Sequence, residues 1–214
     1  MTPVRRARTP RTALYRIGRH PDPLAWPPWE YVGSGRFDDP AGEFRVLYAT
    51  AQRRTTFLET LARFRPSLDV LAALQAVKNA NEPIPTPRVP ADWYHTRAVG
   101  RLRLATRQRW LDLRSFETRE TLRRELAQTL LALGLEDLDL SGVVGPKRQL
   151  TQAIARWAYE REYRGLAYSS RFDATLTCWA IFEGAAFEPV RPSEPILPND
   201  PDLVATAKLF GLSL

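Results

Sequence analysis

The hydrophobic and polar positions of this chain follow two periods, and together they predict a mixture of strands and helices. Strands are predicted where β-branched and aromatic residues cluster or alternate with polar ones, at 44–50, 96–105, 110–115, 165–170 and 176–183. Helices are predicted where apolar residues recur every three or four positions, at 55–64, 68–80, 120–134, 149–163 and from about residue 200 onward.

The order of these elements indicates the fold class. Strands and helices do not alternate, as they do in a doubly wound parallel sheet, so the prediction is an α+β fold with a central, mostly antiparallel sheet surrounded by helices. No internal repeat or linker divides the chain, and 214 residues suffice for one sizeable core. We therefore expect a single domain over residues 13–214, preceded by a mobile basic arm over residues 1–12.

Composition narrows the function classes. The chain has 31 Lys and Arg against 24 Asp and Glu, and nearly all of the positive charge is arginine. Arginine holds phosphate with its planar fork, so this composition fits an anionic ligand, and a basic nucleic-acid-binding module remains an alternative. No apolar run reaches the roughly 18 residues of a membrane span, and the N-terminus lacks the apolar core of a signal peptide. We expect a cytoplasmic protein with no membrane contact.

Metal and disulfide chemistry are not expected. Cys178 is the one cysteine, and the chain has two histidines, which is too few for an ordinary zinc site. The sequence signatures of zinc proteases, α/β-hydrolases and P-loop nucleotide-binding proteins are absent. The candidate chemistry must therefore come from carboxylates, hydroxyls and arginines.

A glycine-rich loop, EYVGSGRFDDPAG at 30–42, is the first candidate site. Gly33 and Gly35 match the start of a dinucleotide-binding turn, but position 38 is Asp and no helix follows, so that interpretation is excluded. Two interpretations stay open. The loop is either an ordinary turn with an exposed Arg36, or a wall of a different kind of phosphate site.

Three further positions carry candidate chemistry, and each has a structural alternative. Glu59 follows Thr56 with the spacing of a capping box, so it either caps a helix or supplies a carboxylate to a cleft. Tyr48 near a strand end is either a core aromatic or a ring that stacks on a planar ligand. Ser169 and Ser170 either end a strand or contact a phosphate or ribose.

The combination and order of these residues are more specific than any one of them. The relevant segments are YRIGR at 15–19, SGRFDDPAGEFRVLYAT at 34–50, FLETLARFRP at 57–66 and GLAYSSRFDATLTCWAIFE at 165–183. Together they resemble the RES-domain family, the toxin component of bacterial toxin–antitoxin systems. The resemblance implies a compact relative of the ADP-ribosyltransferase fold that consumes NAD as a substrate and needs no cofactor or metal.

The resemblance also implies which side chains bind NAD. These are Tyr15, Arg16, Arg36, Tyr48 and Ser170. Arg16 and Arg36 would hold the pyrophosphate through charge-assisted bonds, and Tyr48 would pack against the nicotinamide end. Tyr15, the neighbour of Arg16, would line the same pocket.

Catalysis is assigned by the same resemblance to Arg36, Tyr48 and Glu59. The Glu59 carboxylate would stabilise the positive charge that develops on the ribose as nicotinamide leaves. Ser170 is preferred to Ser169 because the family pattern is a tyrosine, one variable residue and a serine, which begins here at Tyr168.

The implied activity is cleavage of the nicotinamide–ribose bond by glycohydrolysis or phosphorolysis, with ADP-ribosyl transfer to a protein as the alternative. The resemblance further implies a helix-turn-helix antitoxin of the Xre type and an oligomeric toxin–antitoxin complex. Direct nucleic-acid binding by this chain is not expected.

Overall fold

The structure is a computed structural model that describes residues 4–77 and 86–214. Its strands are β1 Leu14–Arg19, β2 Val46–Thr50, β3 Arg97–Leu104, β4 Leu111–Asp112, β5 Gly165–Ser169, β6 Thr177–Phe182 and β7 Phe187–Pro195. Its helices are α1 Arg53–Leu61, α2 Leu68–Val77, α3 Ala91–His95, α4 Phe116–Glu125, α5 Ala127–Ala132, α6 Leu140–Val144, α7 Arg148–Glu160 and α8 Pro201–Phe210. Two short 3-10 turns lie at Trp29–Tyr31 and Ala62–Phe64.

The strands form one seven-stranded sheet in the order β4-β5-β6-β2-β1-β3-β7. β4 and β5 pair in parallel, and the other neighbouring strands pair antiparallel. Helices flank this sheet. The predicted α+β class with a mostly antiparallel sheet is therefore confirmed.

The pairing between β1 and β2, at the centre of the sheet, is much shorter than its neighbours. β1 pairs with β3 over six residue pairs and β2 pairs with β6 over five, but β1 and β2 share only the pair Tyr15 and Thr50. We call this junction the β1–β2 seam. Beyond that pair the two strands separate, which opens space in the middle of the sheet.

Buried side chains cover both sides of the seam. On one side α7 buries the face predicted from its periodicity, with Leu150, Ile154 and Ala158 fully enclosed in the core. On the other side, α1 buries Phe57 and Leu61 in a cluster that also contains residues of α3 and α8. The helix that carries Glu59 is thus fixed against the sheet by its apolar face.

The sequence predictions differ from the structure in several places, and β1, α3 and α6 were not among the predicted elements. The helix predicted at 120–134 is two helices, α4 and α5, because the backbone leaves helical geometry at Leu126. The strand at 110–115 is shortened to the two residues of β4, and residues 78–80 of the helix predicted at 68–80 lie outside the described residues. β7 was not predicted because it contains several prolines, which a strand at the edge of a sheet tolerates.

The N-terminal arm lies against β4. The amide of Asp112 donates to the carbonyl of Arg5 at 3.1 Å, and the amide of Ala7 donates to the carbonyl of Trp110 at 2.9 Å. Ala7 is buried. The mobility expected for residues 1–12 stays a prediction. In the parts of the chain that the structure describes, no helix is both long and apolar enough to cross a membrane.

Candidate active site

A cleft of about 340 Å³ opens where β1 and β2 separate. β1 contributes Tyr15 and Arg16, β2 contributes Tyr48, the glycine loop contributes Arg36, and α1 contributes Glu59. The structure therefore brings five of the six sequence-predicted site residues to one cavity. The sixth, Ser170, reaches the cleft through its contact with Glu59.

Glu59 is not a helix cap. α1 begins at Arg53, with Gln52 at its N-cap position, and Thr56 bonds the carbonyl of Arg53 at 2.9 Å. Glu59 therefore lies well inside the helix, and the capping-box interpretation is wrong. Its Oε1 accepts a hydrogen bond from the hydroxyl of Ser170 at 2.6 Å. The carboxylate is held at the wall of the cleft from a rigid element.

The two adjacent serines have different environments. The Ser170 hydroxyl donates to Glu59 and accepts from the amide of Phe172 at 3.2 Å. The Ser169 hydroxyl instead donates to the carbonyl of Ala174 at 3.1 Å. Of this pair, Ser170 is the one that contacts the Glu59 carboxylate, and its role in binding NAD stays a prediction.

Arg16 is a cation without a carboxylate partner among the described residues. Its Nε donates to the carbonyl of Pro23 at 3.0 Å, and its Nη1 donates to the carbonyl of Tyr48 at 3.2 Å. Burial lowers the pKa of Arg16 to about 10, so the guanidinium is still charged near neutral pH. A guanidinium has five N–H donors, so the two carbonyl bonds leave others for a ligand.

Arg36, another lining residue of the cleft, is also held by backbone carbonyls. One of its nitrogens, Nη1, donates to the carbonyls of Gly145 at 2.6 Å and Val143 at 3.3 Å, at the end of α6. No carboxylate of the described residues forms an ion pair with it. The cleft thus contains two guanidinium groups, those of Arg16 and Arg36, that form no ion pair with a carboxylate of the described residues.

The glycine loop is organised around an internal anion. The amides of Gly33 and Gly35 both donate to Oδ2 of Asp38, at 3.1 and 2.7 Å. The carbonyls of the same two glycines accept from the side-chain amide of Gln152 in α7, at 2.9 and 3.1 Å. A Cβ on Gly35 would lie 2.4 Å from Oδ1 of Asp38, so this position has no room for a larger residue. The loop amides therefore serve Asp38 rather than a bound phosphate.

Tyr48 belongs to this loop network as well as to the cleft. Its hydroxyl donates to Oδ1 of Asp38 at 2.7 Å and accepts from the amide of Phe37 at 2.8 Å. Burial, followed by the charge of Asp38, raises the pKa of Tyr48, so the phenol stays protonated. With its hydroxyl engaged, the part of Tyr48 that remains for a ligand is its ring.

Sequence reasoning missed four residues that shape the cleft: Asp38, Arg63, Tyr168 as a wall residue, and Cys178. The ring of Tyr168 packs against Phe37, with centroids 4.7 Å apart, and Cys178 lies directly opposite Tyr168 in the pairing of β5 with β6. The Cys178 sulfur is 3.9 Å from Oε1 of Glu59, and burial, then that carboxylate, raises the pKa of the thiol. The spacing of Arg63, four residues after Glu59 on a helix, was the one sequence signal available for these positions.

The described residues contain no group of three or more His, Cys, Asp and Glu side chains placed to hold a metal ion. What the cleft offers is one carboxylate, a hydroxyl that orients it, aromatic rings and arginines. This set is suited to binding a phosphorylated ligand and stabilising a cation that forms next to Glu59.

The fold and cleft define an α+β protein with a cationic cavity at a break in a seven-stranded sheet. The family model described as the RES domain matches residues 13–202, so the chain belongs to the RES-domain family. A chain in the crystal structure of the M. tuberculosis MbcT–MbcA toxin–antitoxin complex is similar in fold, with a TM-score of 0.58 and 14% sequence identity. That similarity covers 96% of this chain and 92% of the other. No curated protein matches the chain.

Proposed function

We propose that this protein is the NAD-consuming toxin of a toxin–antitoxin system and that it cleaves the bond between nicotinamide and ribose. The observation that carries the proposal is the partly buried, charged Arg16, which has no carboxylate partner among the described residues and shares its cleft with the Ser170–Glu59 pair. An uncompensated cation in a cavity is costly unless an anionic ligand binds there.

NAD supplies the complementary charges. Its pyrophosphate carries two negative charges, which Arg16 and Arg36 of the same cleft neutralise through charge-assisted bonds. Each arginine is already oriented by backbone carbonyls, so little side-chain freedom is lost when the ligand binds. In this arrangement the ring of Tyr48 packs against the nicotinamide end.

Glu59 acts on the ribose in the proposed reaction. The bond between C1′ of the ribose and the pyridine nitrogen breaks, and the electron pair leaves with neutral nicotinamide. The positive charge that develops on the ribose is stabilised by the Glu59 carboxylate, which Ser170 holds in place. The acceptor then bonds C1′. Water gives ADP-ribose and a proton, whereas inorganic phosphate gives phosphorylated ADP-ribose.

Two finer parts of the proposal rest on the family and the fold. The similarity to a chain of a toxin–antitoxin complex supports an antitoxin partner, and we propose a helix-turn-helix protein of the Xre type in an oligomeric complex. NAD is a cytoplasmic metabolite, so the proposed activity belongs in the cytoplasm. ADP-ribosyl transfer to a protein is the second candidate, because the same carboxylate and ribose cation serve a protein acceptor.

The test is to incubate the purified protein with NAD and to measure free nicotinamide, with and without phosphate, by mass spectrometry. We expect nicotinamide to appear together with ADP-ribose or its phosphorylated form. The Glu59→Gln variant keeps an oxygen that can accept the Ser170 bond but loses the charge, so turnover should fall by about 10²- to 10³-fold at nearly unchanged stability.

The matched control is Glu136→Gln, the same change at an exposed position. It should leave nicotinamide release unchanged. If the wild-type protein consumes no NAD in water, in phosphate or with candidate acceptor proteins, the proposed function is wrong. Recovery of ADP-ribosylated protein in place of free ADP-ribose would favour the second candidate.

A further inference from the structure

A second group of arginines lies at the end of β1, and one of its members lines the cleft. Arg19 and Arg97 are directly opposite each other in the pairing of β1 with β3. Arg63 lies in the 3-10 turn after α1, four residues beyond Glu59, and lines the cleft itself. We call these three residues the outer arginine cluster.

Trp93 links Arg97 to the turn that carries Arg63, and Arg19 is placed beside Arg97 by the strand pairing. The guanidinium of Arg97 lies over the ring of Trp93, 5.3 Å from its centroid, and donates to the Trp93 carbonyl at 2.9 Å. Phe64, next to Arg63 in the chain, packs edge-on against the same ring, with centroids 5.8 Å apart. Burial and then the charges of Arg19 and Arg63 lower the pKa of Arg97, as expected for cations held close together.

The cluster is poorly compensated by the protein. Within the described residues, none of the three arginines forms an ion pair, and Asp92 is the one carboxylate with an electrostatic influence on Arg97. Like charges directly opposite on paired strands destabilise a sheet. Three cations lie here with Asp92 beside Arg97 and Glu59 in the adjoining cleft, so the cluster keeps a net positive charge that a bound anion would relieve.

Charge counting separates this surplus from the pyrophosphate site. The two charges of the NAD pyrophosphate are matched by Arg16 and Arg36, so the outer arginine cluster is not needed for them. A phosphate monoester or inorganic phosphate is close to a dianion at neutral pH, since its second pKa is about 6. Its two negative charges suit a cluster of several cations, and guanidinium groups bind its oxygens in pairs.

We propose that the outer arginine cluster is a subsite for a phosphate dianion, distinct from the pyrophosphate site. This proposal rests on the proposed function in one respect, because it assumes that the dinucleotide binds in the neighbouring cleft. Two sources supply the same chemistry. One is the 2′-phosphate of NADP, in which case the protein prefers NADP to NAD. The other is free inorganic phosphate.

The test measures binding without turnover, so its outcome does not depend on NAD cleavage. Titration calorimetry compares adenosine 2′,5′-bisphosphate, adenosine 5′-monophosphate and inorganic phosphate as ligands of the wild-type protein. If the source is NADP, the bisphosphate binds at least about tenfold more tightly than the monophosphate. If the source is free phosphate, inorganic phosphate binds saturably and the two nucleotides bind alike.

Arg19→Ala is the first variant, because Arg19 is exposed and its replacement threatens no packing. It should lose most of the bisphosphate advantage or of the phosphate binding. Arg97→Ala should do the same, although it also loses the Trp93 contacts. Arg103→Ala, an exposed arginine farther along β3, is the matched control and should behave as wild type.

Two outcomes overturn the proposal. One is a wild-type protein that binds the two nucleotides alike and shows no saturable binding of phosphate. The other is a preference that Arg19→Ala and Arg97→Ala leave unchanged. If the wild-type protein did not cleave NAD, the proposed function would be wrong, but the binding results would still test the phosphate subsite.

Discussion

At the scale of single residues, Asp38 organises the wall of the cleft that carries Arg36 and Tyr48. Its carboxylate accepts from the amides of Gly33 and Gly35 and from the Tyr48 hydroxyl. In the sequence, the same aspartate was the reason to exclude a dinucleotide-binding turn. The role of Asp38 in organising the loop could not be predicted. An aspartate after glycines is typical of any turn, and the tyrosine hydroxyl that it binds comes from β2.

The serine assignment gives a prediction at this scale. Ser170→Ala removes the donor that orients Glu59, so we expect kcat for nicotinamide release to fall by about tenfold, or about 1.4 kcal/mol of activation free energy. Ser169→Ala is the matched control, since its hydroxyl bonds a carbonyl in its own turn. It should cost about 1 kcal/mol of stability and leave kcat unchanged. Equal loss of kcat in both variants would contradict a specific role for Ser170.

At the scale of elements, α1 is the helix that positions the Glu59 carboxylate, and its first residue, Arg53, joins it to two other elements. Arg53 bonds Asp202 at 2.6 Å and Asp200 at 2.5 Å in α8 and its cap, and Glu194 at 3.1 Å in β7. Asp200 also caps α8, accepting from the amides of Asp202 and Leu203. The C-terminal segment therefore fixes the start of the helix that carries Glu59.

Arg53→Ala should lower the free energy of unfolding by about 2 to 3 kcal/mol, because it leaves the buried Asp200 carboxylate without its cation. Arg54→Ala, an exposed arginine at the next position, is the control and should change stability by less than about 0.5 kcal/mol. Denaturant unfolding monitored by tryptophan fluorescence measures both. Equal stability of the two variants would show that the contacts of Arg53 are not stabilising.

The same contacts give a pH dependence. Burial acts to raise the pKa of Asp200, but the hydrogen bonds from Arg53 and the cap amides outweigh it, so the pKa lies below the ordinary 3.8. The stabilisation is therefore complete above that value and is lost as the pH falls through the lowered pKa. The difference in stability between wild type and Arg53→Ala should be constant from neutral pH down to about pH 5 and shrink below about pH 4. A difference that grows with acid would contradict this assignment.

The periodicity of apolar residues predicted those helices and strands that bury one or both of their faces. α7 has a continuous apolar face, and β5 and β6 are buried along nearly their whole length. It failed where tertiary contacts override local preference, as in β7, whose prolines are acceptable only because it is an edge strand. The start of α1 was missed because Arg53 is fixed by residues more than 140 positions away.

At the scale of the whole molecule, the site is made by the seam and not by any local motif. Its residues come from both halves of the sheet and from α1, and Glu59 meets Ser170 across 111 positions of sequence. Residue spacing alone left Glu59, Tyr48 and the serines each with a structural alternative. The family resemblance grouped these residues into one site. The contacts between distant segments that form the site arise only on folding, so residue spacing could not show them.

The attachment of the N-terminal arm gives a prediction at this scale. Removing residues 1–12 deletes the backbone bonds of Arg5 and Ala7 to the edge of the sheet, so stability should fall by about 1 to 3 kcal/mol. NAD binding and turnover should stay at the wild-type level, because the cleft lies at the seam and the arm lies beyond β4. Unchanged stability, measured by denaturant unfolding, would favour the mobile arm expected from the sequence.

The bond from Arg16 to the carbonyl of Tyr48 spans the seam just beyond the last strand pair. A side chain thus bridges the two half-sheets at the point where the ladder between β1 and β2 has ended. If the same guanidinium also binds the ligand, occupancy of the cleft and cohesion of the sheet are thermodynamically linked. Ligand binding would then strengthen a bridge that already exists, and hydrogen exchange in β1 and β2 should slow on both sides of the gap.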